Sequence, residues 1–199
     1  MVKSAFTIFQ CARGHDHCHL MQLTRNRHAA LYGSENLIQY VHASGEYSTR
    51  GPTWLKIGWL NKMLHAAKDG SIIVYIDCDV LGEAPADFAA ALDGADFAAV
   101  LNAWDTFNGG VMVWRANDKT RKAIAQIDRE GPDNDRPRME QEVVTRIVQR
   151  RLTCRYLPRN FNDYQSAKPA RDLAHPIYFR AWHGCEPAEA ALRIARALQ

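Results

Sequence analysis

Short apolar runs alternate with longer amphipathic stretches along most of the chain. The runs at 5–10, 37–41, 72–76, 96–101, 111–114 and 152–157 have strand length and strand composition. A last strand follows Pro176, with Ile177, Phe179, Ala181 and His183 on one face. Between them, apolar positions recur at helical spacing over 20–32, 53–68, 85–92, 119–129, 139–151 and 187–198. Gly33 closes the first helix, Asp118 is placed to cap the fourth, and Gly131-Pro132 ends it. Strands alternating with helices predict an α/β layered fold, a mostly parallel sheet flanked by helices, in a single domain spanning 1–199.

The run at 72–76 is the most informative. Ile72-Ile73-Val74-Tyr75-Ile76 is apolar without interruption and is entered through Asp69-Gly70-Ser71, the pattern of a parallel strand buried on both faces. It stops at Asp77-Cys78-Asp79. If the strand continued, Asp77 and Asp79 would project to the same side of its C-terminal end, where open α/β sheets bind ligands. Two carboxylates so close repel each other unless a cation lies between them, and paired oxygens suit Mg²⁺ or Mn²⁺. A solvated turn after a strand accounts for the pair equally well.

Other positions add to this picture. Residues 11–19 read as a loop at the ligand end of the sheet, which makes Arg13, His15 and His17 candidates for contact with a nucleotide. Lys56 stands on the inward edge of a helix whose apolar face is Leu60, Met63, Leu64 and Ala67. A cation in a first helical turn opposes the helix dipole, so either an anion faces it or its stem covers apolar surface. Glu140 leans inward in the same way, though a first-turn Glu is favoured by the dipole. Asn108-Gly109-Gly110 reads as a glycine turn where the backbone can approach a ligand, with Trp104 nearby as core filler.

Composition narrows the function classes. A formal net charge of +3 with scattered basic residues gives no stripe for nucleic acid. No apolar run approaches the ~20 residues needed to span a bilayer, and the N-terminus has no signal-peptide core. The odd set Cys11, Cys18, Cys78, Cys154 and Cys185 is that of reduced thiols, so a cytoplasmic location is expected. Cys11, His15, His17, Cys18 and His19 crowd together, but their spacing matches no zinc pattern, and no zinc is expected there.

In order along the chain, six segments resemble the GT-A fold of nucleotide-sugar-dependent glycosyltransferases, and most of all glycosyltransferase family 34, the retaining galactosyl-, mannosyl- and xylosyltransferases. They are Trp54-Leu55-Lys56-Ile57, Tyr75-Ile76-Asp77-Cys78-Asp79-Val80-Leu81, Phe107-Asn108-Gly109-Gly110-Val111 with Arg115, Glu140-Gln141-Glu142-Val143-Val144, residues 157–164, and Trp182-His183-Gly184-Cys185. The resemblance implies a metal-dependent enzyme that moves a hexose or pentose from a nucleoside-diphosphate sugar, in particular a UDP-sugar, to a glycan or other hydroxyl acceptor. By the same resemblance Asp77, Asp79 and His183 would hold Mn²⁺ or Mg²⁺. Asp77, Lys56, Asn108, Gly109, Gly184 and Asp105 would border the donor together with Arg13 and His15, and Glu140 and Gln141 would lie at the reacting face of the sugar.

Departures are also visible. The chain is short for the family, Glu140 stands where Asp is usual, and no Lys soon follows Gly184 to hold a diphosphate. Two rival readings use the same residues. A haloacid-dehalogenase-type phosphatase also begins from a hydrophobic strand ending in Asp-x-Asp, but needs that motif near the N-terminus and a later acidic pair. A nucleotide-sugar-binding module without turnover would keep the fold and lose the chemistry.

Overall fold

The computed structural model describes residues 6–42, 54–102, 105–131, 139–163, 177–182 and 186–198. In chain order the elements are β1 (Phe6–Arg13), α1 (His15–Tyr32), β2 (Leu37–His42), α2 (Leu55–Ala66), β3 (Ile72–Ile76) and β4 (Val80–Gly82). Then come α3 (Phe88–Leu92), β5 (Phe97–Leu101), β6 (Phe107–Arg115), α4 (Asp118–Glu130), α5 (Met139–Arg151), β7 (Cys154–Leu157), β8 (Phe179–Ala181) and α6 (Pro187–Ala197). Six strands form one sheet in the order β2-β1-β3-β6-β5-β7, and β4 pairs with β8 in a second, two-stranded sheet. In the large sheet only β6 runs against its neighbours, so the sheet is mixed but mostly parallel.

The uninterrupted apolar run of β3 is explained by burial on both faces. Ile73 and Tyr75 join the cluster that packs under α2, α4 and α5, with Leu60, Leu64, Ile124, Ile127, Val144 and Ile147. Ile72, Val74 and Ile76 join the opposite cluster, with Phe88, Leu92, Val111, Val113 and Phe179. A third cluster ties α1 to α6 and β4 through Leu20, Met21, Leu81, Trp182 and Ile194. Among the described residues no helix is long and apolar enough to cross a membrane.

Several element boundaries differ from those the hydrophobic pattern predicts. β1 continues to Arg13 because its parallel ladder with β2 runs from Ile8↔Leu37 through Arg13↔His42, regardless of the polar Gln10 and Arg13. Gly14, at φ +81°, makes the whole turn, and α1 starts at His15 instead of residue 20. The expected loop at 11–19 is therefore strand end, one glycine and first helical turns. Asn108-Gly109-Gly110 lies within β6 instead of in a turn. Asn117, not Asp118, caps α4, its side chain accepting from Thr120 N in a reciprocal capping box. The last strand pairs with β4 outside the main sheet. The expectation for Trp104 falls outside the described residues.

β3 ends at Ile76, and Val80 N donates to the Asp77 carbonyl at 3.2 Å, so the two aspartates sit in a tight turn. The strand-periodicity argument for their common direction therefore fails, since strand geometry stops before them. Their main chain is held from three sides. Asp77 N donates to Gly110 O at 2.8 Å, the fully buried Gln10 amide donates to the Asp77 carbonyl at 3.3 Å, and Trp182 N donates to the Asp79 carbonyl at 3.3 Å.

β4 leaves this turn and is pinned to α1 by His28, whose Nε2 accepts from Gly82 N at 3.0 Å. A Cβ at Gly82 would meet Leu31 Cδ1 at 2.8 Å and His28 Cδ2 at 3.0 Å, so the close approach requires glycine. Burial, with Arg27 adding, pushes the His28 pKa down to about 4. The unfolded chain takes up this proton below about pH 6.5 and the native protein only near pH 4. The stabilisation is thus complete above about pH 6.5 and is lost as pH falls toward the folded value. His28→Gln keeps an acceptor for Gly82 without titrating. We predict that the stability advantage of the wild type over this variant, from urea unfolding, shrinks by about 2 kcal/mol between pH 7 and pH 4.5. An unchanged difference would rule out a neutral buried His28.

Candidate active site

The turn after β3 opens on a cavity of about 470 Å³, within the usual range for small-molecule sites. Its walls are residues 11–14 at the end of β1, His17 of α1, Leu55 and Lys56 at the start of α2, and Tyr75, Asp77, Cys78 and Asp79. Both aspartates line this one space, and a turn, not a strand, puts them there. Arg13 lines the cavity. His15 does not: α1 begins at that residue, and its side chain is 96% exposed beside Asp16. His17 takes the position toward the cavity.

Lys56 is the hub of the site. Its side chain is buried, with Nζ 3.2 Å from the Gly109 carbonyl and 3.6 Å from both Asp77 Oδ1 and Glu140 Oε1. Burial alone would lower its pKa, but Asp77 and Glu140, with Asp79 further off, reverse the sign and keep it protonated. Burial raises the pKa of Glu140, and Lys56 opposes that rise. The inward-leaning Lys and Glu read from helix periodicity are thus partners of each other. Glu140 lies behind the ammonium and is not part of the cavity wall.

The glycines explain themselves here. A Cβ on Gly109 would meet Lys56 Nζ at 2.7 Å and Glu140 Oε1 at 3.2 Å, so only glycine lets β6 pass this close. Asn108 is buried, and its Oδ1 accepts from Gly110 N at 2.8 Å and from Asn162 Nδ2 at 2.7 Å. Gln141 is half-buried, with Oε1 accepting from Asn102 Nδ2 at 2.9 Å. Asp105 is exposed at the tip of the β5–β6 turn with φ +57°, apart from the cavity. His183 and Gly184 lie outside the described residues.

Tyr75 escaped the sequence reading because it sits in an apolar run and reads as core. Its ring does pack on Phe9 in the core, at 5.0 Å between centroids, but its hydroxyl donates to Asp77 Oδ1 at the cavity floor. Cys11 and Cys78 also line the cavity, and burial pushes the Cys11 thiol up to about 12, with Asp77 adding. Among the described residues no three His, Cys, Asp or Glu side chains are grouped to hold a metal. The histidines and cysteines of 11–19 are dispersed between strand end, cavity and solvent.

The buried charge cluster makes a stability prediction. Lys56→Met should cost on the order of 3–5 kcal/mol, because it leaves Glu140 and Asp77 without their cation. Adding Glu140→Met to that variant should restore part of the loss in a urea-unfolding cycle. Fully additive losses would mean that the two side chains are not coupled.

Comparison with known proteins places this geometry. No curated protein sequence matches the chain. Several solved structures share the fold at low identity. A glycosyltransferase involved in glycosylation of the major capsid of PBCV-1 is 15% identical, with a TM-score of 0.68 over 96% of this chain and 99% of that one. The galactosyltransferase LgtC, in complex with donor and acceptor sugar analogs, is 13% identical, with a TM-score of 0.53 over 96% and 94%. An LgtC active-site mutant carrying glutamate for glutamine is 11% identical, with a TM-score of 0.56 over 96% and 95%. The family model for nucleotide-diphospho-sugar transferases matches residues 54–183, which run from the start of α2 past β8 and include Lys56, both aspartates and Glu140. The chain therefore belongs to the nucleotide-diphospho-sugar transferases, glycosyltransferases that draw on a nucleotide-sugar donor.

Proposed function

We propose that this glycosyltransferase moves a hexose or pentose from a UDP-sugar to a hydroxyl of a glycan or similar acceptor, with a divalent cation at the paired aspartates and with retention of configuration. One observation carries the reading: Asp77, Asp79 and Lys56 line one cavity together with the end of β1, and the Lys56 ammonium lies 3.6 Å from Asp77 Oδ1. The order of the motifs supports family 34 as the branch.

The residues present fit Mn²⁺ or Mg²⁺. Asp77 and Asp79 line one cavity two residues apart and offer hard oxygen donors. A hard dication suits such donors. Asp77 and Asp79 would hold it, with His183, next in sequence to Trp182, as a further ligand. When bound, the cation neutralises charge developing on the departing diphosphate.

The other groups have roles that follow from where they lie. Lys56 presents a fixed positive charge beside Asp77, and Glu140 keeps that ammonium in place from behind. Gln141 has its amide oriented by Asn102 and is hardly basic, which suits positioning the sugar better than taking a proton. With Glu140 screened by Lys56, the retaining course is favoured, in which an oxygen of the leaving diphosphate accepts the acceptor's proton. Leu55, Tyr75 and Cys11 give the cavity apolar walls.

Two outcomes are expected. With Mn²⁺ and a panel of nucleotide sugars, release of nucleoside diphosphate should appear for at least one donor. It should fall about 100-fold or more in Asp79→Ala or with excess chelator. Turnover that persists under either treatment would remove the metal from the account, and no release from any donor would favour a binding module. Once an acceptor is found, proton NMR should show an α-linked product from an α-linked donor. A β-linkage would overturn retention and set aside family 34.

A further inference from the structure

The hydroxyl of Tyr75 meets the Asp77 carboxylate at the cavity. The side chain is 3% exposed, its ring packs on Phe9, and the Lys56 ammonium stands 5.2 Å from the ring centroid. The Cys11 thiol is 4.0 Å from the phenol oxygen and donates to it. The only hydrogen of the phenol is then directed to Asp77 Oδ1, the same oxygen that faces Lys56 at 3.6 Å. Oδ1 is thereby held from two sides, by a neutral donor and a cation.

We infer that Tyr75 is a positioning residue for Asp77: the Cys11–Tyr75–Asp77 hydrogen-bond chain fixes the carboxylate in the rotamer that faces the cavity before any cation or donor arrives. Partners of this kind, behind a metal-binding carboxylate, orient it, and removing them typically weakens metal affinity about 10–100-fold. The inference rests on the proposed metal role of Asp77. It goes beyond that reading by giving the site a residue that neither touches the donor chemistry nor serves only as core.

Tyr75→Phe isolates the hydroxyl, because the ring remains on Phe9 and beside Lys56. The experiment titrates Mn²⁺ alone into the wild type and the variant, following the free-ion EPR signal, with thermal unfolding and donor hydrolysis in parallel. The expected result is Mn²⁺ binding at least about ten-fold weaker in Tyr75→Phe, a Tm within a few degrees of wild type, and a kinetic loss mainly in half-saturating Mn²⁺ rather than kcat. A merely structural role would move Tm and leave Mn²⁺ affinity unchanged in the folded fraction, which would overturn the inference. Equal Mn²⁺ binding by both proteins also overturns it, while the metal reading survives. If the wild type binds no Mn²⁺, the metal reading falls and the inference with it.

Discussion

A single buried ammonium organises this molecule. Lys56 reaches from the first turn of α2 to the point where β3, β6 and α5 meet, and holds Asp77, the Gly109 carbonyl and Glu140 around one charge. An unpaired charge in such a place is costly, so the surrounding elements are constrained together. Glycine at 109 leaves room for the ammonium beside β6, where a Cβ would lie 2.7 Å from Lys56 Nζ and push it aside. α5 must present a carboxylate from its first turn, and the turn after β3 must bring Asp77 within reach. What positions the core therefore also positions the candidate site.

The aspartate turn is fixed by neighbours of different kinds. Its backbone is tied to β6 through Gly110, to β1 through Gln10, and to the segment after β8 through Trp182. The Asp77 carboxylate is tied to Tyr75 and Lys56. β4 follows the turn and is clamped to α1 by His28 and by the absence of a side chain on Gly82. The result is an acidic edge on a largely apolar cavity. Bare carboxylates repel a diphosphate, so the proposed divalent cation is what would let the two meet.

Much of this was legible in the residues. The double-sided burial of β3 follows from five consecutive apolar positions, and the inward lean of Lys56 and Glu140 follows from helical spacing. Their pairing with each other was not legible, because it depends on α2 and α5 lying on the same face of the sheet. Residues 11–19 misled because polar side chains suggest a loop, whereas the β2 ladder and Gly14 carried the strand straight into α1. Of the two histidines expected there, that shift leaves His17 at the cavity and His15 in solvent. Tyr75 was hidden by its ring, which belongs to the core, while its hydroxyl belongs to the site. Asp105 drew attention as a carboxylate near Asn108, yet a left-handed turn holds it in solvent.

The most direct test of the central claim, that the Lys56-organised acidic edge is a metal–diphosphate site, is a crystal structure of the protein with Mn²⁺ and UDP. The account predicts an anomalous manganese peak between Asp77 and Asp79, the diphosphate on it, and Lys56 still lodged between Asp77 and Glu140. Manganese and UDP bound away from the two aspartates, or Lys56 swung out of the carboxylate cluster, would contradict it.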